Sequence, residues 1–197
     1  MTRLLIIGPP GSGKGTQAAR ISERLGVVAI STGDIFRANV KEETPLGVEA
    51  KKYIDAGNFV PDEVTNKMVR DRLLQEDVAD GFLLDGYPRT SAQVDELDSI
   101  LAEAGLELDV VLQLTADDDE LVERLLKRAQ IEGRADDNEE VIRHRLGLYH
   151  EQTQVVVDRY LDRGIVRSVD GLGDIDDVTE RVMATLEPTG DQTATTK

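Results

Sequence analysis

The sequence predicts an α/β domain: a doubly wound, five-stranded parallel sheet with helices on both faces. Three observations carry that prediction. Five short apolar runs are bounded by polar residues or glycine. Longer segments of helical period separate them, and strand–helix alternation implies parallel strands joined by crossovers. The first run leads straight into a glycine-rich loop that opens a helix, the context a P-loop requires.

The strands are expected at residues 3–7, 27–31, 82–85, 109–114 and 165–169. Each run is continuous and not alternating, as strands covered on both faces should be. Helices are expected over 14–25, where Ala18, Ile21 and Leu25 share a face, and over 62–75, 92–104, 118–129, 139–162 and 174–186. Two stretches break the rhythm. Residues 36–61 hold short helices and no strand, and residues 130–138 are polar. Both are candidates for small mobile lobes.

The 197 residues suit one domain with a sizeable core. With 40% hydrophobic and 31% charged residues, the chain is globular and not disordered by composition. The absence of cysteine excludes a disulfide scaffold, a zinc–thiolate site and thiol nucleophilic chemistry. The formal charge of −16 argues against a nucleic-acid coat or a basic membrane-surface protein. No apolar run suits a signal peptide or a bilayer span. A cytoplasmic location is expected. Residues 187–197 read as a disordered tail, leaving a domain over 1–186.

Gly8-Pro-Pro-Gly-Ser-Gly-Lys-Gly-Thr16 satisfies Gly-x4-Gly-Lys. The glycines let backbone N–H groups converge on phosphate oxygens, and the following helix adds the positive end of its dipole. Lys14 reaches outer phosphates as a point charge. Gly15 stands where a Ser or Thr is usual, so Thr16 is the candidate hydroxyl near magnesium.

A phosphate loop alone says nucleotide, and three further segments narrow that reading. Ser31-Thr-Gly-Asp-Ile-Phe-Arg37 follows the second strand, and Asp85-Gly-Tyr-Pro-Arg-Thr90 with Gln93 follows the third. Arg124, Arg128, Arg134 and Arg145 surround the polar interruption. Together with the loop, in this order and spacing, these segments resemble the adenylate kinase family of nucleoside monophosphate kinases over residues 3–186. The resemblance implies a doubly wound P-loop core with a small AMP-binding lobe at 31–60 and a short lid at 128–138. It implies magnesium-dependent, reversible phosphoryl transfer between ATP and AMP giving two ADP, in adenine nucleotide homeostasis, by a monomer.

Site roles follow from the same resemblance. On the ATP side stand Gly11, Ser12, Gly13, Lys14, Gly15, Thr16, Arg124, Arg128 and Gly173. On the AMP side stand Thr32, Arg37, Asn58, Phe59, Val60, Gly86, Tyr87, Pro88, Arg89 and Gln93. Arg134 and Arg145 close on the phosphates. Lys14, Arg89, Arg128, Arg134 and Arg145 form the catalytic set, and Asp85 orients magnesium through water. Residue chemistry agrees: a Gln amide offers a donor and an acceptor to an adenine edge, and arginine forks suit phosphate. Magnesium keeps several waters, so one carboxylate suffices. Bland alternatives stand beside these roles: Thr32 as a helix N-cap, Asp85 as a strand-end turn residue.

Arg outnumbers Lys 16 to 7, and only the six motif arginines are assigned to substrate. Between Arg128 and Arg134 lie five residues, too few for a β-rich lid, and without cysteine no lid zinc is expected. Asp136 and Asp137 suit either lid arginines or solvent. The acidic run 117–120 reads as a helix start, and His144 and His150 as structural or surface residues. Thr32 and Gln93 favour AMP over UMP or CMP. A metabolite kinase of the same fold, or a nucleotide-gated switch without transfer activity, are the rival readings.

Overall fold

The structure is a computed structural model and describes residues 2–132 and 138–186. Five strands, β1 (Thr2–Ile7), β2 (Val28–Ser31), β3 (Gly81–Asp85), β4 (Val110–Thr115) and β5 (Val166–Asp170), form one sheet. Their order is β2-β3-β1-β4-β5 and every pairing is parallel. The helices are α1 (Lys14–Leu25), α2 (Thr32–Lys41), α3 (Pro45–Asp55), α4 (Asp62–Leu73), α5 (Ser91–Glu103), α6 (Asp118–Glu132), α7 (Glu139–Leu148), α8 (Gln154–Leu161) and α9 (Ile175–Leu186).

β1 is the central strand and is buried on both faces. Leu4 and Ile6 turn to one face, where Ala18 and Ile21 of α1 and Val178 and Val182 of α9 cover them. Leu5 and Ile7 turn to the other, against Val94 and Leu97 of α5 and Val156, Val157 and Tyr160 of α8. A strand's side chains alternate between faces, so a strand sandwiched this way must be apolar throughout. β2 and β5 are edge strands. In both edge strands the expectation of two buried faces fails: Ala29 of β2 and Arg167 and Ser168 of β5 are exposed.

The chain moves to one side of β1 for β2 and β3 and to the other for β4 and β5. The crevice at the carboxyl end of β1 is thus the topological switch point, where open α/β sheets bind ligands. In register, Ile6 of β1 lies opposite Asp85 of β3, so the phosphate loop and the 85–90 segment leave the sheet side by side.

The expected long helix at 139–162 is broken. A π-helical turn, Tyr149–Thr153, separates α7 from α8. The extra residue of such a turn rotates α8 relative to α7, and Tyr149 and Thr153 both face inward and are buried. α6 runs to Glu132, beyond the expected residue 129. The helix expected at 62–75 ends earlier, and a 3-10 turn, Glu76–Val78, comes after it.

α2 and α3 have their own small apolar cluster of Phe36, Ala50 and Val60, apart from the sheet. Thr44 caps α3 by accepting from Gly47 N at 3.1 Å, with Pro45 in the first turn. Gly47 lets the two helices touch: a Cβ there would lie 2.0 Å from Asn39 O. Gly47→Ala is therefore expected to cost about 1–3 kcal/mol through overpacking. Hydrogen exchange should quicken across α2 and α3 while β1, β3 and β4 keep their protection. Equal loss of protection in the sheet would show that this cluster is not a separate unit.

Candidate active site

The loop between β1 and α1 meets the close-approach conditions its glycines suggest. Gly13 is the N-cap of α1 at φ 90°, with no side-chain cap, so the first N–H groups of the helix point outward. Gly8 packs so tightly that a Cβ would lie 2.6 Å from Leu114 O. The Lys14 ammonium folds back and donates to Gly8 O at 2.7 Å and Pro9 O at 2.9 Å. Burial lowers its pKa to about 8; Asp85 opposes that, and Arg89, Arg145 and Arg128 add to it. Ser12 Oγ is buried without a hydrogen-bond partner among the described residues.

Asp85 ends β3 with its carboxylate turned to the loop: a Cβ built on Gly15 would lie 3.8 Å from Asp85 Oδ2. Burial raises its pKa, while Lys14 and Arg89 pull it down. A carboxylate facing a phosphate loop, with the Thr16 residue exposed nearby in the first turn of α1, is a hard-oxygen donor set that fits magnesium held through water.

Arg89 is fixed at three points. Its backbone N donates to Gln93 Oε1 at 2.7 Å, its Nε donates to Gly86 O at 2.8 Å, and its carbonyl accepts from Thr153 Oγ1 at 3.1 Å. Its guanidinium lies 5.2 Å from the centre of the Phe59 ring. Burial, and then Arg145, push its pKa down to about 10, so it remains a cation at neutral pH. Gly86, at φ 81°, makes room: a Cβ would lie 2.7 Å from Thr32 Oγ1 and 2.9 Å from an Arg89 guanidinium nitrogen.

Thr32 is not the N-cap of α2. Ser31 takes that role, accepting from Asp34 N at 3.3 Å, and Thr32 Oγ1 donates to Gly86 O at 3.0 Å. Arg37 pairs with Asp34 at 2.5 Å, one turn along α2. Gln93 is 2% exposed, and its Nε2 donates to Asp62 Oδ1 at 2.7 Å.

One cavity brings together Lys14, Thr32, Arg37, Asn58, Phe59, Val60, Gly86, Tyr87, Pro88, Arg89, Gln93 and Arg145. The remaining candidates lie beside it. Arg124 on α6 donates to Gly171 O at 3.2 Å, and Gly171 rests on the loop, where a Cβ would lie 2.8 Å from Ser12 O. This links α6 and the turn containing Gly173 to the 11–16 segment. Arg128 is near enough to depress Lys14. Arg134, Asp136, Asp137 and residues 187–197 lie outside the described residues.

Several contributors have no sequence motif. Asp62, Tyr149 and Thr153 are among them, because helix-start acids and a π-turn carry no distinctive pattern. His144 is exposed yet donates to Asn58 Oδ1 at 2.7 Å, and Gly57 lies against Val141 and Arg145. The 31–60 segment thereby leans on α7. One signal was available: Thr90-x-x-Gln93 has the form of a capping box. Thr90 does cap α5, accepting from Gln93 N at 3.2 Å, but the Gln93 side chain reaches back to Arg89 N instead of Thr90 N. The 117–120 run starts α6 as expected, with Asp117 accepting from Asp119 N. Among the described residues no group of His, Cys, Asp and Glu is arranged to hold a metal by itself.

Comparison with known proteins gives the same grouping. The family model described as Adenylate kinase matches residues 6–165. The adenylate kinase of Pseudarthrobacter chlorophenolicus is 75% identical over 187 residues, covering 95% of this chain and 97% of that protein. That of Kocuria rhizophila is 74% identical, covering 95% of this chain and all of that protein. That of Renibacterium salmoninarum is 73% identical with coverage of 95% and 97%. Since the matched span runs from β1 through the phosphate loop, the Arg89 segment and the helix bearing Arg145, the chain belongs to the adenylate kinase family.

Proposed function

We propose that the protein transfers the γ-phosphoryl group of magnesium-bound ATP to AMP, reversibly giving two ADP, and so serves adenine nucleotide balance. One observation carries the reading: four cations, Lys14, Arg37, Arg89 and Arg145, line one cavity beside the phosphate loop. Such a cation cluster suits polyphosphate more than any neutral substrate.

In this reading residues 31–60 are the AMP lobe, 128–138 the short lid, and the remainder of 1–186 the core. The loop 11–16, Arg124, Arg128 and the Gly173 turn hold ATP. Arg37 and Arg89 hold the AMP phosphate, Thr32, Asn58, Phe59, Val60 and Gln93 line the base side, and Gly86, Tyr87 and Pro88 form its floor. Arg134 and Arg145 meet the phosphates between the two nucleotides. Asp85 through water, with the Thr16 hydroxyl, would hold magnesium, which neutralises phosphate charge when bound. An AMP phosphate oxygen attacks the γ-phosphorus in line as the bond to the β-phosphate oxygen breaks. The acceptor is already ionised, so no residue takes a proton. The work of the chain is positioning, charge neutralisation and exclusion of water. A cytoplasmic monomer is part of the proposal; among the described residues no helix is long and apolar enough to cross a membrane.

The deciding experiment is a coupled assay with magnesium-ATP and each of AMP, UMP, CMP and GMP. ADP formation with AMP and little with the others is expected. A pyrimidine preference would overturn the acceptor assignment, and no transfer at all would favour a nucleotide-gated switch.

Arg89→Met should lower kcat by about 100-fold, the scale of losing one preorganised charge donor. Thermal stability should hold or rise, because a half-buried guanidinium whose pKa is lowered by desolvation opposes folding. A large fall in melting temperature with kcat retained would assign Arg89 to structure.

Lys14 supplies a pH signature. Its folded pKa of about 8 lies below the ordinary 10.5, so its charge opposes folding fully below about pH 8. That opposition fades as pH rises towards the unfolded value. A bound polyphosphate restores the charge, so ATP binding near pH 9 should take up a proton, and kcat/KM for ATP should fall above about pH 8. Calorimetry in buffers of different ionisation enthalpy reads the uptake directly; zero uptake would remove Lys14 from the phosphate site.

A further inference from the structure

We infer that Asp62 sets the acceptor base preference by fixing the orientation of the Gln93 side-chain amide. The inference rests on the reading that Gln93 meets the base of the acceptor nucleotide.

The Gln93 amide is held from both ends. Oε1 accepts from Arg89 N at 2.7 Å, and Nε2 donates to Asp62 Oδ1 at 2.7 Å. Asp62 Oδ2 accepts from Thr90 Oγ1 at 2.9 Å, and Thr90 Oγ1 in turn accepts from Gln93 N at 3.2 Å. The first residue of α4 is thereby tied to the first turn of α5, across 31 positions of sequence.

Chemistry makes the orientation one-sided. A backbone N–H only donates, and an ionised carboxylate only accepts. Flipping the Gln93 amide would place two donors together at Arg89 N and two acceptors together at Asp62. In the held orientation each amide atom uses one of its two hydrogen-bonding positions. One N–H of Nε2 and one lone pair of Oε1 are left for the cavity that Gln93 lines.

That donor and acceptor, in fixed order, match a 6-aminopurine: the exocyclic amine donates to Oε1, and ring N1 accepts from Nε2. A 6-oxopurine presents the reverse, a carbonyl at position 6 and an N1–H, and would need the flipped amide. Asp62 thus discriminates between purines without touching the nucleotide. It is a positioning residue, and Gln93 is the group that reads the base.

The test compares steady-state kinetics with AMP and with IMP at saturating magnesium-ATP for the parent protein and for Asp62→Ala, Asp62→Asn and Gln93→Ala, each assayed well below its melting temperature. Asp62→Ala should lower the AMP-to-IMP ratio of kcat/KM by about tenfold, the scale of losing one orienting hydrogen bond. The change should appear in KM for the acceptor, with KM for ATP unmoved. Asp62→Asn should keep the parent ratio, because its carbonyl still accepts from Nε2 and its amide can donate to Thr90 Oγ1. Asp62→Ser, polar at the helix start but too short to reach Gln93, carries the same expectation as alanine should that variant melt too low to assay. An unchanged ratio in Asp62→Ala beside a collapsed ratio in Gln93→Ala overturns the role of Asp62 alone. Equal losses in Asp62→Ala and Asp62→Asn also overturn it, since charge and not orientation would then be responsible. An unchanged ratio in Gln93→Ala overturns the reading of Gln93 itself.

Discussion

Like charges brought together away from water repel one another, and the site is organised around that repulsion. Lys14, Arg89 and Arg145, with Arg128 nearby, converge on the ends of β1 and β3, where Asp85 is the carboxylate that answers them. Removal from water is the main cause of the lowered proton affinities of Lys14 and Arg89, and the neighbouring cations add to it. The fold sustains this cluster because β1 and β3 are paired on both edges and buried on both faces, so apolar burial supplies the stability that the cations remove. A polyanion relieves the repulsion, which makes binding and charge neutralisation one event.

Hydrogen bonds to uncharged partners do the positioning. Arg89 is fixed through its N–H, its carbonyl and its Nε by Gln93, Thr153 and Gly86. None of these partners is charged, so the guanidinium's remaining N–H groups keep their capacity for phosphate. The π-turn Tyr149–Thr153 buries both of its end residues and presents Thr153 to the Arg89 carbonyl.

The net charge of −16 and a cationic cleft coexist by segregation. Arg20, Arg24, Arg70, Arg72, Arg159 and Arg163 each pair with a carboxylate at the surface. Exposed pairs of this kind contribute about 0–1 kcal/mol each and do not hold the fold together. Their effect is to neutralise cations outside the cleft. A negative exterior around a cationic cavity focuses the attractive field on the cavity itself.

Much of this was legible in one dimension. Continuous apolar runs mark strands buried on both faces, since burial on each face forbids polar residues at either parity; the edge strands β2 and β5 depart from that rule. Gly8 to Thr16 is legible because backbone geometry is local: the glycine spacing, Lys14 and the strand-to-helix context together mark a phosphate loop. What tertiary structure alone decided are contacts between segments far apart in the chain. Asp62 with Gln93, Thr153 with Arg89 O and His144 with Asn58 each join elements whose spacing in sequence carries no period. Thr32 was ambiguous between a cap and a site residue until packing placed Ser31 at the cap and turned the Thr32 hydroxyl to Gly86. Local conformational rules written into residue types determined the strands, the loop and the arginine-rich segments. The orientation of each side chain within the cavity was decided by hydrogen-bond partners that only folding brings to within about 3 Å.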